Sequence, residues 1–349
     1  MAAPRHILVL RFSALGDVAM TVPVVRNLVS QHPDLSIHFI GQTHMRPLFD
    51  NIERVKFYTV DIKKSKGLTG IYQLSRQIRK DIKFDAIADL HDSLRAKLLR
   101  FFLVPLFSKI PVAVIDKGRK EKEELTRPVN KKLRPLKTTF QRYADVFEKI
   151  GLPVELNIGK GKADVAKNKT LLPFENKGQK IIGVAPFARH VAKLYPLEKM
   201  KQVVKALSQQ PGIAVLLFGS KAEAALTEEW EREMENVYSI AGRNGFADEL
   251  NIIARLDIMI SMDSANMHLA SLYGVPVISI WGGTHPYTGF YGWGQSLNNA
   301  IQLDLPCRPS SVFGNKECPV HGIKGCMEGI TPEMIIDKVK EELRIADMK

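Results

Sequence analysis

Two stretches of the chain decide its fold: ILVLRFSALGDV at residues 7–18 and IIGVAPFARHVAKLYP at residues 181–196. Each begins with a short aliphatic run, which predicts a buried strand, and continues through a loop into a pattern with helical spacing. A strand that leads through a loop into a helix is the opening unit of an open α/β sheet. Because this unit occurs once in each half, we predict two consecutive α/β sheets.

The rest of the chain alternates short β-branched runs with longer helical patterns, as parallel α/β layers do. The strands predicted in the first half are His6–Phe12, Leu35–Ile40, Phe84–Asp89 and Val112–Ile115. Those predicted in the second half are Lys180–Ala185, Ile213–Phe218, Asp257–Met262 and Pro276–Trp281.

The domain boundary is indicated by residues 159–180, which are rich in Lys, Gly and Asn and have weak periodicity, as a linker has. Near the end of the chain, Thr331 and Pro332 suit the cap and the first turn of a helix. Its predicted apolar face consists of Met334, Ile335, Val339 and Leu343. The predicted parts are two Rossmann-like domains, at 1–165 and 175–330, and a C-terminal helix at 331–349.

The composition is that of a globular protein of about two domains, with 349 residues, of which 45% are hydrophobic and 25% charged. It excludes disordered, collagen-like and disulfide-rich classes. No apolar run approaches the roughly 20 residues that cross a bilayer, and the N-terminus has no signal-peptide pattern. Three cysteines suit a reducing compartment. We therefore expect a cytoplasmic protein.

The net charge of +13 arises entirely in the first half. Residues 1–150 contain 28 basic and 15 acidic side chains, whereas residues 151–349 contain 22 of each. Segment 117–140 is strongly basic, has few apolar residues and is predicted to be irregular. A basic excess suits nucleic acid, an anionic membrane or simply a solvated surface. No nucleic-acid recognition motif accompanies it, so nucleic acid is not a predicted partner.

The first candidate site is the loop between the first strand and its helix. Arg11, Ser13, Gly16 and Asp17 lie there, at the edge where open α/β sheets bind ligands. Asp17 is predicted near the positive end of the helix dipole, where it is either a functional carboxylate or simply the helix cap. The loop lacks the G-x-G-x-x-G pattern, so a nicotinamide dehydrogenase is not indicated.

Loops in the second half lie at corresponding strand ends. Arg189 and Lys193 follow the first strand there and suit a diphosphate, although a charged surface loop is the commoner case. Asp263 and His268 lie where a later strand enters a helix, whose first N–H groups suit an anion. His268 is equally well explained as a hydrogen-bonded core histidine. The loop at 282–286 faces the same edge, and together these features predict a phosphate-bearing ligand.

Three longer stretches resemble the signature regions of glycosyltransferase family 9, the ADP-heptose:lipopolysaccharide heptosyltransferases and their relatives. They are RFSALGDVAMTVPVVRNL at 11–28, PFARHVAKLYPLEKM at 186–200 and SMDSANMHLASLYGVPVISIWGGTHP at 261–286. Cys318-Pro319 and Cys326-Met327 are similar to the family's ending. The resemblance implies a GT-B fold, in which two Rossmann-like domains with parallel sheets face a central cleft and the last helix packs back on the N-terminal domain.

The resemblance also implies a role for each domain. The N-terminal domain would bind the acceptor through Arg11, Ser13 and Gly16, and Asp17 would be the general base of a displacement with inversion. The C-terminal domain would bind the nucleotide sugar, with Lys193 as a catalytic residue at the donor phosphates. The remaining donor-binding positions would be Arg189, Glu223, Asp263, Ser264, Ala265 and His268.

The expected reaction is heptose transfer from ADP-heptose to an anionic, lipid-linked acceptor of the lipopolysaccharide inner core. Segment 117–140 would line the acceptor side or make a peripheral contact with the cytoplasmic face of the inner membrane. Two departures from the family pattern are Ala265, where the family has Gly, and Ala188-Arg189, where hydroxyl residues are common. The alternatives are a family member with a different nucleotide sugar and a non-catalytic nucleotide-sugar-binding partner protein.

No metal and no further cofactor are predicted. The Asp-x-Asp motif of the other large glycosyltransferase class is absent from the sequence. A Cys₃His zinc site is conceivable in principle from four residues near the end of the chain, which are Cys307, Cys318, His321 and Cys326. Because their spacing contains no Cys-x-x-Cys pair, ordinary reduced cysteines are the preferred interpretation.

Overall fold

The computed structural model describes residues 3–61, 67–104, 108–164, 170–322 and 325–344. The chain forms two compact units. Unit 1 consists of Met1–Lys117 and Thr139–Ala163, and unit 2 consists of Gly118–Thr138 and Asp164–Lys349. Each unit contains one parallel sheet, as the two repeated strand–loop–helix starts predict.

The strands of unit 1 are β1 (His6–Leu10), β2 (Ser36–Gly41), β3 (Val55–Thr59), β4 (Ala86–Asp89) and β5 (Val112–Val114). Its helices are α1 (Leu15–Ala19), α2 (Thr21–Gln31), α3 (Gly67–Asp81), α4 (Leu94–Leu103), α6 (Thr139–Glu148) and α7 (Ile158–Gly161), with a 3₁₀ segment at Thr43–Leu48. Helix α5 (Arg119–Thr126) lies between them in the chain and belongs to unit 2.

The sheet of unit 1 has the strand order β3-β2-β1-β4-β5, and its neighbouring strands are parallel. Strand β1 is central: Leu8 is opposite His38 on one side and Ile87 on the other. The apolar core beneath it includes Leu8, Ile87 and, from helices α3 and α4, Ile78 and Leu99. The strand order reverses between β1 and β4, which is the switch point where such sheets bind ligands.

The strands of unit 2 are β6 (Lys180–Ala185), β7 (Ile213–Leu217), β8 (Val237–Ser239), β9 (Ile258–Met262), β10 (Val277–Trp281) and β11 (Ala300–Gln302). Its further helices are α8 (Leu197–Ser208), α9 (Ala224–Glu233), α10 (Phe246–Ile253), α11 (Ala265–Leu272), α12 (Gly325–Glu328) and α13 (Pro332–Leu343). Single 3₁₀ turns lie at Val191–Lys193, Pro286–Thr288 and Leu297–Asn299.

The second sheet has the order β11-β10-β9-β6-β7-β8 and is also parallel. Its strand order reverses between β6 and β9, so unit 2 has a switch point of the same kind as unit 1. The strands are almost entirely buried because helices cover both faces of a parallel sheet. This explains why their sequences are continuous hydrophobic runs.

The eight strands predicted from the sequence are all present, with ends that differ by at most two residues. The prediction missed β3, β8 and β11, and each of them lies at an edge of its sheet. Strand β3 is only partly buried, and β8 and β11 have three residues each. Short or half-exposed edge strands lack the continuous apolar run by which a central strand is recognised.

The prediction for segment 117–140 is corrected in two respects. Residues 119–126 form helix α5 rather than irregular chain, with Leu125 buried. Residues 118–138 belong to unit 2, although the predicted domain 1–165 included them. Two contacts attach this segment to the rest of unit 2. The N–H of Leu136 donates to the carbonyl of Tyr287 at 3.0 Å, and Lys122 Nζ lies 4.2 Å from the ring centre of Phe290.

The C-terminal helix forms with the predicted cap: the Thr331 hydroxyl accepts the N–H of Met334 at 3.4 Å. Its described part packs on α8 and β10 of unit 2. The reason is that Ile335 and Val339 belong to the apolar core of unit 2, whereas Met334 is 36% exposed. Residues 345–349 of the predicted helix lie outside the described residues.

None of the helices in the described ranges is both long and apolar enough to span a membrane.

Candidate functional site

In unit 1 the chain leaves β1 and turns through residues 11–14 into α1. The Arg11 guanidinium makes two contacts there. Nη1 donates to the carbonyl of Leu90 at 2.7 Å, and Nη2 lies 2.6 Å from Asp17 Oδ2. The N–H of Ala14 donates to the same carboxylate oxygen at 3.2 Å. Leu90 directly follows β4, so the Asp17 carboxylate is fixed at the switch point of the first sheet.

The two partners of this ion pair differ in how far they are exposed to solvent. The Arg11 side chain is 9% exposed, and the Asp17 side chain is 30% exposed. Burial acts to lower the pKa of Arg11, but Tyr143 and Asp17 raise it above its ordinary value, so the guanidinium stays charged. Tyr143 also donates its hydroxyl to the Asp17 carbonyl at 3.2 Å. A charged cation is thus held beneath a partly accessible carboxylate.

The end of β4 supplies residues that sequence reasoning missed. Asp89 is fully buried and accepts the N–H groups of His91 and Asp92 at 2.8 Å each, while Arg100 Nε lies 3.0 Å from its other oxygen. The Phe12 N–H donates to His91 Nδ1 at 3.3 Å, which joins the ends of β1 and β4. The cluster DLHD directly after a predicted strand was the available signal, because such positions meet at the same sheet edge.

His91 is electrostatically perturbed at this edge. Burial, together with the nearby charges of Arg11 and Lys117, lowers the pKa of His91 to about 4. The ring is therefore neutral at neutral pH, and a neutral ring lets Nδ1 act as the acceptor for the Phe12 N–H.

In unit 2 the corresponding position after β6 is the 3₁₀ turn that ends at Lys193. Lys193 Nζ lies 2.7 Å from Asp263 Oδ2, and Asp263 directly follows β9. The side chains are 14% and 4% exposed, so this is a buried ion pair. Because β6 and β9 are the strands that flank the second switch point, the pair occupies the place that Arg11 and Asp17 occupy in unit 1.

Helix α11 begins directly beside this pair. Ser264 is its N-cap residue and Ala265 its first residue. The Ser264 hydroxyl lies 2.9 Å from the hydroxyl of Ser261, and the Asp263 carboxylate pairs with Lys193. His268 is 7% exposed within the same helix. The first N–H groups of a helix have no intrahelical partner, so this terminus suits an anion.

Two further residues predicted to bind the donor are Arg189 and Glu223. Arg189 is exposed. Burial, together with the charges of Lys193 and Arg189, lowers the pKa of His190 below its ordinary value. Glu223 lies after β7, where its carboxylate accepts the N–H of Ser220 at 2.7 Å and closes the turn into α9. Its hydrogen bond is thus to its own turn, not to the Lys193–Asp263 pair.

The loop at the end of β10 is held on two sides. The N–H of Gly283 donates to the carbonyl of Ala192 at 3.0 Å, beside Lys193. On the other side Arg308, which sequence reasoning missed, donates through Nη2 to the carbonyl of Thr284 at 2.9 Å. A Cβ at Gly282 would lie 2.7 Å from Met327 Cγ, so the close packing requires glycine. We find no sequence pattern that marks Arg308.

Each unit therefore has one polar centre at its switch point. The centre of unit 1, with Ser13 in the loop and Gly16 in the first turn of α1, presents a partly exposed carboxylate, which can accept a proton from a hydroxyl group. The centre of unit 2 places a lysine beside a helix N-terminus, which can hold and stabilise a diphosphate.

The chain matches a protein-family model and is similar to known proteins over most of its length. The family model for "Glycosyltransferase family 9 (heptosyltransferase)" matches residues 71–321. The lipooligosaccharide heptosyltransferase 2 of Haemophilus influenzae is 27% identical over 360 residues, which cover 97% of this chain and 99% of that protein.

Two solved structures share the fold. The glycosyl transferase family 9 protein from Veillonella parvula aligns with a TM-score of 0.78 and 16% identity over 98% of each chain. The ADP-heptose LPS heptosyltransferase II of E. coli aligns with a TM-score of 0.67 and 18% identity, over 97% of this chain and 98% of that one. With the two parallel sheets, they confirm the predicted α/β, GT-B fold class.

Proposed function

The chain belongs to glycosyltransferase family 9, and we propose that it transfers heptose from ADP-heptose to a hydroxyl group of the lipopolysaccharide inner core. In this proposal unit 1 binds the acceptor and unit 2 binds the nucleotide sugar. The observation that carries it is the pair of switch-point centres with complementary chemistry. One is an accessible carboxylate on a buried guanidinium, and the other a lysine beside a helix N-terminus.

Asp17 is the general base of the proposed reaction. Its contacts with Arg11 and with the Ala14 N–H are both made by Oδ2, so Oδ1 is the oxygen assigned to the acceptor proton. As the acceptor oxygen attacks the anomeric carbon, its proton passes to Asp17 and the bond from that carbon to the diphosphate oxygen breaks. A single displacement of this kind inverts the anomeric configuration and releases ADP.

Lys193 acts where the leaving group gains charge. Asp263 neutralises and orients the ammonium group, so Lys193 and the N-terminus of α11 together provide a fixed electrostatic environment for the departing diphosphate. Ser264, Ala265 and His268 contribute to the same donor subsite. Arg189, which is exposed, adds a second cation on the solvent side.

The acceptor-side residues divide into two roles. Ser13, in the loop before α1, and Gly16, in the first turn of α1, are partly accessible near Asp17 and are assigned to contact the acceptor. Arg11 was predicted to do the same, but its guanidinium is buried against Asp17 and the Leu90 carbonyl. We therefore assign Arg11 as a positioning residue that acts through Asp17.

A peripheral membrane contact is also part of the proposal. Segment 118–138 exposes Val129 and Leu133, at 70% and 51%, next to the exposed basic residues Lys132 and Arg134. Apolar side chains among cations suit the surface of an anionic bilayer, where an acceptor with a lipid anchor would lie.

Product analysis tests the proposal. The purified protein is incubated with a panel of ADP- and UDP-sugars and with lipopolysaccharide truncated before its inner-core heptose. We expect mass spectrometry to show one added heptose with ADP-heptose, one ADP released per transfer, and NMR to show an inverted anomeric centre. Transfer only from another nucleotide sugar would contradict the proposed donor. Donor binding without ADP release, in every acceptor mixture, would contradict catalysis.

A further inference from the structure

A cluster of three thiols and one imidazole forms in unit 2 from residues that belong to neither switch-point centre. It contains Cys307, Cys318, His321 and Cys326, whose ligand atoms all lie within 4.8 Å of one another. The sequence favoured ordinary reduced cysteines because no Cys-x-x-Cys pair is present. The fold makes that spacing unnecessary, since the loop after β11, the 318–322 turn and helix α12 each bring one part of the cluster.

The distances inside the cluster match those of tetrahedral zinc ligands. Zn–S and Zn–N bonds of about 2.3 and 2.0 Å place a sulfur and a nitrogen ligand about 3.6 Å apart. His321 Nδ1 lies 3.3 Å from Cys307 Sγ and 3.8 Å from Cys318 Sγ. These two distances lie on either side of that value, and with all four ligand atoms within 4.8 Å of one another, one metal ion can reach them all.

The surroundings support the ligands. Cys318 and Gly322 form an antiparallel bridge in which the N–H of Gly322 donates to the Cys318 carbonyl at 2.9 Å. The bridge closes the turn that carries both Cys318 and His321, and a backbone fixed in this way orients the ligands.

A positively charged side chain lies next to the cluster and would balance its charge with a metal ion bound. Three thiolates with one divalent cation and a neutral imidazole carry a net charge of −1. Lys131 Nζ is anchored beside them by the carbonyls of Cys307, at 2.6 Å, and Pro309, at 2.9 Å. A partly buried anionic metal centre is tolerated when a cation lies next to it.

We propose that these four side chains bind one zinc ion. Three soft thiolates and one imidazole within 4.8 Å of one another are a ligand set that zinc prefers, and a closed set of four protein ligands is typical of a structural site. The ion would join the loop after β11 to the 318–322 turn and to α12. Through Lys131 it would also fasten the basic segment 118–138 to the same place.

The proposed zinc site supports the donor side of unit 2. Arg308, next to Cys307, donates to the carbonyls of Gly282 and Thr284, and the N–H of Ser310 donates to the Gly283 carbonyl at 3.0 Å. Met327, next to Cys326, packs on Gly282. Zinc would therefore hold the loop at the end of β10 in place, although its presence does not depend on the proposed activity.

Metal analysis and thiol counting test the site directly, because the chain has three cysteines and all of them are in the cluster. The full-length protein, purified under reducing conditions without chelators, should contain about one zinc per chain by inductively coupled plasma mass spectrometry. Its three thiols should resist a thiol reagent until a chelator and denaturant are added, and zinc release should accompany their reaction.

Substitutions assign the ligands. Cys318→Ser and His321→Ala should each reduce the zinc content at least about tenfold, as loss of a ligand does. His44→Ala, which removes an exposed histidine of unit 1, should leave it unchanged. Zinc retained at the full amount in both ligand variants would contradict the assignment.

The wild-type protein provides a test that does not depend on folded variants. Chelation should lower its melting temperature, and added zinc should restore it. Cobalt taken up in place of zinc should give the visible absorption of a tetrahedral thiolate site. The proposal is overturned if the protein contains no metal and binds neither zinc nor cobalt. A single free thiol in the denatured, unreduced protein would reveal a disulfide instead, and stoichiometric iron would overturn the choice of zinc.

Discussion

Arg11 Nη2 lies 2.6 Å from Asp17 Oδ2, while Nη1 of the same guanidinium donates to the carbonyl of Leu90 at 2.7 Å. One side chain therefore connects the end of β1, the first turn of α1 and the end of β4. A carboxylate held in this way has a defined orientation toward the solvent side of the sheet edge, which is the requirement for a positioned general base.

Asp17→Asn should lower kcat by about 10²–10⁴-fold, because an amide cannot accept the acceptor proton. Affinity for ADP, measured by calorimetry, should stay within about twofold, since Asp17 lies in unit 1 and the donor subsite in unit 2. Asp34→Asn, which changes an exposed carboxylate of the same unit, is the matched control and should retain full activity. Turnover in Asp17→Asn close to that of the control would contradict the assigned role.

Arg11→Lys keeps a positive charge but loses the guanidinium fork that reaches both Asp17 and Leu90. We expect kcat to fall by about 10–100-fold through misplacement of the base, with little change in the KM for the donor. Arg46→Lys, at an exposed arginine of unit 1, should leave the kinetics unchanged. If Arg11→Lys raises the KM for the acceptor and leaves kcat intact, Arg11 binds acceptor rather than positioning Asp17.

The buried Lys193–Asp263 pair allows stability and catalysis to be separated. Lys193→Met leaves an uncompensated buried carboxylate and should destabilise the protein by about 3–5 kcal/mol in chemical denaturation. Adding Asp263→Asn should restore most of that stability, because the stranded charge is removed. Activity should stay low in the double variant, by about 10²–10³-fold, because the diphosphate lacks the ammonium group.

Lys205→Met is the control for this pair, since Lys205 is an exposed lysine on α8. It should affect neither denaturation nor turnover. Recovery of activity together with stability in the Lys193→Met/Asp263→Asn variant would show that the lysine is purely structural.

His91 should make stability depend on pH in the acid range. Burial lowers its pKa to about 4, below the ordinary value of 6.5, so the unfolded chain takes up a proton at a higher pH than the folded chain does. Stability is therefore retained above pH 6.5 and decreases as the pH falls toward 4. In that window His91→Asn should reduce the slope of unfolding free energy against pH by up to about 1.4 kcal/mol per pH unit.

Denaturation curves at half-unit pH steps measure this slope. His44→Asn, at an exposed histidine, should reproduce the wild-type curve. An unchanged slope in His91→Asn would mean that other groups cause the acid sensitivity.

Segment 118–138 should bind anionic vesicles through both its charge and its exposed apolar side chains. Replacing Lys120, Lys132 and Arg134 by alanine should weaken cosedimentation with phosphatidylglycerol vesicles by about 100-fold at low salt, since each cation near the surface contributes about 1 kcal/mol. Leu133→Ser should weaken it further, and ADP affinity should not change. Equal binding to neutral phosphatidylcholine vesicles would contradict an electrostatic contact.

The structure also redistributes the charge asymmetry of the sequence. With segment 118–138 assigned to unit 2, unit 1 contains 22 basic and 13 acidic residues, and unit 2 contains 28 and 24. The excess is still larger in unit 1, which is assigned the anionic acceptor. Part of it now lies beside the proposed donor and zinc sites, which the count along the chain did not reveal.

Local sequence patterns determined much of this protein: eight buried strands, the two strand–loop–helix starts, and the loops that carry Asp17, Lys193 and Asp263. They are readable because apolar runs, helical spacing and capping residues act over a few neighbouring positions. The edge strands β3, β8 and β11 were not predicted, because their burial depends on the elements that pack against them.

Tertiary structure alone decided which of these residues meet. Lys193 pairs with Asp263, Phe12 with His91, and Lys131 lies against Cys307, because strand order brings together positions far apart in the chain. The four residues of the Cys₃His cluster converge in the same way, without any spacing motif. Contacts of this kind depend on sheet topology and on the packing between elements, and local hydrophobic patterns do not specify either of them.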